Sequence, residues 1–208
     1  MTTDVVLDNS DYPANVSLDR SPTNSRLFAL LYLVGLKHLL GFPHGVILVV
    51  YGLAALILGW IAQWIVLFTG SYPRGFIEFM RGYFQWSFRL NTWIYGLTDR
   101  YPPFTHEDAA VFAAQAEASV AASSSRLLAV ARILGIQFLL LIPHLVALVV
   151  LAMLQGLMVF ISAIAIIFTG RYPEAFFDIV LGVERWIFRV NVYALGLVDR
   201  YPPFRMVV

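Results

Sequence analysis

His44 and His144 stand 100 residues apart, and each directly follows a proline. Two imidazoles from symmetric helices are the arrangement that could ligate a haem iron axially or hold a metal ion. The plainer reading is structural: an imidazole beside a proline at a helix junction caps backbone groups. His38 and His106 have no counterpart at this spacing and add nothing to the ligand case. A second set recurs with the same shift. Arg89, Asn91, Asp99 and Arg100 return as Arg189, Asn191, Asp199 and Arg200, a polar group that could bind an anionic lipid headgroup or a protein partner. Pairing of the carboxylates with the arginines, holding a helix to its own C-terminal segment, explains the same residues without a ligand. There is no cysteine, which removes disulfides, thiolate metal sites and catalytic thiols. Phosphate-loop, zinc-protease and nucleophile-elbow motifs are absent. The sequence therefore predicts no catalytic residue, no cofactor and no enzyme.

The shift of 100 extends well beyond these positions. Residues 25–104 align with 125–204 without a gap, and 33 of the 80 pairs are identical, far more than shared hydrophobicity would give. Asp99-Arg100-Tyr101-Pro102-Pro103-Phe104 recurs letter for letter as Asp199 to Phe204, and Phe68-Thr69-Gly70 as Phe168-Thr169-Gly170. The chain divides into a polar N-terminal segment (1–24), a first repeat (25–104), an Ala-rich connector (105–124), a second repeat (125–204) and a short tail (205–208). The N-terminal segment reads as extended chain with strand-like alternation around Val5-Val6-Leu7 and Val16-Ser17-Leu18, and lacks the basic start and apolar core of a signal peptide. The connector reads as an exposed helix.

What surrounds these residues is an apolar chain: 60% of 208 residues are hydrophobic and 13% charged, with mean hydropathy +0.75, against about 45–50% and about 25% in soluble domains. A net charge of +1 gives no field to attract nucleic acid. Each repeat carries an apolar run of 42 residues, Leu27 to Phe68 and Leu127 to Phe168. As one helix such a run would be about 63 Å long, twice the roughly 30 Å of a bilayer's hydrocarbon, so it must break. Pro43 and Pro143 predict the break, giving helix A (27–42, 127–142) and helix B (45–68, 145–168) as a hairpin. On helix B, Gly52, Ala54, Ala55 and Gly59 with Ala152 and Gly156 would let the two B helices pack closely. A third helix, C (74–98, 174–198), carries Glu78, Arg81, Gln85 and Arg89 as one polar stripe, which predicts an amphipathic interfacial helix with Trp86, Trp93, Trp186 and Tyr193 as belt residues. Helix A alternates with C as the second span. The expected fold is all-α: two parallel repeats, about four transmembrane spans, and both termini cytoplasmic because the arginines gather on one side.

The motif series Arg-Leu, Pro-His, Phe-Thr-Gly-x-Tyr-Pro, Trp-x-Phe-Arg-x-Asn and Asp-Arg-Tyr-Pro-Pro-Phe resembles the bacterial membrane family known as domain of unknown function 4389, present here as a tandem pair over 25–104 and 125–204. The second copy has Glu184-Arg185-Trp186, whereas the first has Phe84-Gln85-Trp86 where the family usually places arginine before tryptophan, so the copies are expected to differ in role. The resemblance implies a membrane location and no established activity. The expected function is that of a non-enzymatic accessory or scaffold protein of the inner (plasma) membrane, contacting membrane lipids and assembling with itself or a larger complex. The alternative is an oligomeric channel, transporter or lipid-binding protein, with a haem-binding electron carrier as a third reading.

Overall fold

A computed structural model of the chain describes residues 12–105 and 113–206. Among these residues the elements run β1 (Ala14–Ser17), α1 (Arg26–Leu33), α2 (Leu36–Thr69), α3 (Arg74–Ile94), β2 (Gln115–Ala118), α4 (Arg126–Ile133), α5 (Ile136–Thr169) and α6 (Glu174–Ala194). The repeat is thus α1-α2-α3 followed by α4-α5-α6, each preceded by a strand.

The apolar run breaks eight residues before the expected place. Ser25 caps α1 through its hydroxyl, which accepts from the Phe28 N–H, and Gly35 ends it with φ 78°, a left-handed conformation that suits only glycine. Gly135 does the same in the second copy. Helix α2 then continues through Pro43 to Thr69, and α5 through Pro143 to Thr169; the hairpin of helices A and B does not form. Both are long and apolar enough to cross a membrane. Gly70 and Gly170 stop them, again left-handed.

The two copies are interlocked. Helix α1 packs on α5, and α4 on α2, so each short helix rests on the long helix of the other repeat. Strands β1 and β2 pair antiparallel, with Val16 opposite Ala116. These two are counterparts at the shift of 100, so a pseudo-two-fold axis passes through their pair. The described part of the connector, 113–124, holds this strand rather than a helix. In the N-terminal segment the alternation around Val16 is a strand, while that around Val5 lies outside the described residues.

Three layers result. The sheet covers α3 and α6, whose polar stripe meets it. Gln85 donates from Nε2 to the Ala114 carbonyl (2.6 Å) and accepts from the Ala116 N–H (2.8 Å). Arg185, its counterpart, donates to Asn15 Oδ1 (2.7 Å) and the Val16 carbonyl (3.3 Å). The stripe thus lies under a strand, not under headgroups, although Glu78 and Arg81 remain exposed. On the other side of α3, Tyr83, Trp86, Leu90 and Ile94 pack on α2. Trp86, Trp93, Trp186 and Tyr193 are buried there and are not belt residues. The small residues of α2 serve the same contact: a Cβ on Gly52 would come within 3.0 Å of the Tyr83 hydroxyl, and one on Gly59 within 3.0 Å of Leu195, so they admit α3 and α6 rather than the other long helix.

Candidate functional site

The Pro-His and Tyr-Pro-Pro-Phe motifs, which start 58 residues apart in sequence, form one clamp in each copy. Proline removes a helix hydrogen bond and crowds the preceding turn. The Tyr101 hydroxyl comes back to donate to the Leu40 carbonyl in that turn (3.1 Å), and Tyr201 donates to Leu140 (2.7 Å). Phe104 stacks on His44 with ring centroids 3.8 Å apart, as Phe204 does on His144. The Trp86 indole N–H donates to His44 Nδ1 (2.9 Å), and Trp186 to His144 Nδ1 (2.9 Å). Each imidazole is fully buried, with one nitrogen taken by tryptophan and its face covered by phenylalanine. This is a structural post in both copies, held within its own repeat, and Nε2 of each ring is buried without a hydrogen-bond partner. Among the described residues no three His, Asp or Glu side chains gather as a metal site.

The predicted polar cluster does not assemble. Arg89 and Arg189 are buried beneath the strands, where Arg189 donates to the Ala14 carbonyl (3.2 Å). Asn91 leaves the opposite side of α3 to donate to Glu184 (2.9 Å). Asp99 accepts from the Ser25 N–H (2.7 Å) and Asp199 from the Ser125 N–H, while Arg100 and Arg200 are exposed. Burial pushes the Asp99 carboxyl above its usual range, and the Ser25 N–H and Lys37 act against that. Asn191 is exposed and lines the groove described below.

Sequence reasoning overlooked a charge exchange at the start of the long helices. In copy two, Arg132 reaches Asp199 Oδ1 (2.8 Å), Gln137 Oε1 (3.0 Å), Gln63 Oε1 (3.5 Å) and the Val198 carbonyl (3.2 Å). In copy one tyrosine replaces that arginine and Lys37 replaces the glutamine. One buried cation therefore serves each aspartate, from positions five residues apart. The signal was present: these are the places where a lone charge interrupts an apolar run.

The arrangement with most chemical capacity lies between the two repeats. Helices α2 and α5 leave between them an open groove of about 720 Å³, lined on one wall by Gly45, Val49 and Leu53 and on the other by Phe138 and Leu145. Its floor is Tyr83, Ser87, Asn91 and Asn191, and these four also border a smaller cavity of about 140 Å³ that reaches Glu184. Glu184 is 4% exposed. It accepts from Asn91 (2.9 Å) and from Gln155 of α5 (3.0 Å), and burial pushes its carboxyl upward despite both bonds. Copy one has Phe84 and Ala55 at these positions, so this polar waist exists once per chain.

The family described as a domain of unknown function, DUF4389, matches over residues 33–106 and 132–205. The chain belongs to this family. The two matches coincide with the two structural repeats, each starting near the glycine turn before the long helix and ending past the Tyr-Pro-Pro-Phe clamp. No curated protein and no solved structure matches the chain. In this chain the conspicuous motifs are those that bind the proline turn to the return segment, while the groove and waist lie elsewhere.

Proposed function

We propose that this DUF4389 protein is a non-enzymatic membrane scaffold that lies in one leaflet, its long helices in the plane of the membrane and its sheet in water. The observation that carries the reading is the layer order. Leu39, Val46, Val50, Leu53, Ile57 and Trp64 are exposed along the whole of α2, on the side away from α3, and α5 repeats the pattern. The polar strands, with exposed Ser17 and Glu117, cross the middle of α3 and α6 on the opposite side.

Upright helices would put those strands at the bilayer centre, where polar backbone at an open sheet edge finds no partner. A helix of 34 residues is about 51 Å long, and fitting it across roughly 30 Å would need a tilt near 54°, outside the observed range of about 0–40°. Lying flat, it buries its apolar face along its entire length. Arg26 and Arg126 stand at the C-terminal ends of α5 and α2, beside exposed Leu27, Leu127, Phe68 and Phe168. There they would meet phosphate headgroups, and this favours the anionic cytoplasmic leaflet of the plasma membrane. The axis relating the repeats then runs along the membrane normal, and the sheet is the surface offered to a protein partner.

Flotation with anionic lipid vesicles tests the seating: protein that rises with the vesicles and resists high salt supports it, and protein left in the aqueous fraction refutes it. Mild-detergent purification tests the scaffold role, which a strictly monomeric particle without partner would sink.

A further inference from the structure

We infer that the groove and waist form a binding site for one single-chain neutral lipid, an uncharged hydroxyl-bearing head at Asn91 and Glu184 and its hydrocarbon chain between α2 and α5. The rim residues Val49, Leu53, Leu56, Phe138 and Leu145 are exposed on the apolar side, so the groove opens where the proposed seating places lipid chains. Its volume of about 720 Å³ falls within the roughly 300–1,000 Å³ of small-ligand sites, which combine apolar walls with a few polar groups that fix orientation. The waist, about 140 Å³, compares with a cavity of about 150 Å³ that holds a benzene-sized molecule. That is room for a glyceryl-sized head.

The lining also selects by charge. Neither cavity has a lysine, arginine or histidine in its wall. A carboxylate or phosphate head would lie beside the buried Glu184 without a counter-ion, which is costly. Ser87, Asn91, Asn191 and the Glu184 carboxyl instead supply donors and acceptors suited to hydroxyl groups. The waist is not duplicated in the other repeat, so the stoichiometry is one lipid per chain. The seating proposed above enters only as the route by which lipid arrives.

The test uses carbon-14-labelled monooleoylglycerol and oleate with the detergent-purified full chain, counting lipid retained after gel filtration. We expect one monooleoylglycerol per chain and at least about tenfold weaker retention of oleate at mildly alkaline pH. Two variants, Gly45→Trp and Leu145→Trp, fill the groove from opposite walls; a Cβ at Gly45 meets nothing within 4 Å. Each should lower monooleoylglycerol retention about tenfold or more. Retention unchanged in both folded variants, substoichiometric retention by the wild type, or equal retention of oleate would overturn the site. Flotation of the same proteins separates the two readings: stoichiometric binding without flotation removes the seating alone, and flotation without stoichiometric binding removes the site alone.

Discussion

Replacing Arg132 with tyrosine reproduces the first copy's residue in the second and removes a cation whose side chain is 2% exposed. Four acceptors lose it: Asp199, Gln137, Gln63 and the Val198 carbonyl. Removing one partner of a fully buried ion pair costs about 3–5 kcal/mol. Asp199 keeps its Ser125 N–H bond and is 29% exposed, so water repays part of the loss and about 2–3 kcal/mol remains. At about 2–4 °C per kcal/mol for a chain of this size, Arg132→Tyr should melt about 5–10 °C below the wild type. Adding Gln137→Lys completes the arrangement of copy one, where Lys37 faces Asp99, and should recover about half of that difference. Melting in detergent micelles, followed by tryptophan fluorescence, measures both. Equal melting temperatures for wild type and Arg132→Tyr, or no gain from the second substitution, would refute the exchange of cation position between copies.

Three further outcomes follow from named contacts. Gln85→Leu removes the two bonds that tie the β2 segment to α3 and should cost about 1–3 kcal/mol, with protease cleavage between residues 113 and 124 appearing before cleavage elsewhere. His44→Phe keeps the stack on Phe104 but leaves the buried Trp86 N–H without its acceptor; a loss of about 1–3 kcal/mol and a changed tryptophan emission are expected. For Glu184, burial raises the folded carboxyl above its ordinary 4.5. Its contribution is then fully present below the unfolded value and lost as pH rises through the folded one. The wild type should lose melting temperature as pH rises above the ordinary carboxylate range, and Glu184→Gln should flatten that decline; parallel pH curves would contradict the assignment.

The repeat and the two glycine stops after Phe-Thr were legible because they are carried by identical letters and by local backbone chemistry. The helix break was misplaced for a physical reason. Proline's cost is local, but the turn before it is also held by Tyr101, 58 residues further on, which donates to the Leu40 carbonyl; only the fold shows that the helix continues. The polar stripe on α3 was seen correctly as one face, yet periodicity cannot say whether that face meets headgroups or another strand. The partner strand was hidden because Ala14-Asn15-Val16 and Ala114-Gln115-Ala116 share burial pattern more than letters. Glu184 was visible as a departure between the copies. Its amide partners, Asn91 and Gln155, come from other helices and could not be read from spacing.

The seating in one leaflet is the claim on which most else depends, and the absence of cysteine makes it directly measurable with single spin labels. Labels at 39, 46, 50, 53, 57 and 64 along α2, and at 117 in the sheet, would be read for oxygen against aqueous-reagent accessibility in vesicles. In-plane helices predict similar depth at all six α2 positions, with 117 in water. A profile deepest near 50–53 and shallow at both ends, with water on opposite sides of the bilayer, would contradict the account.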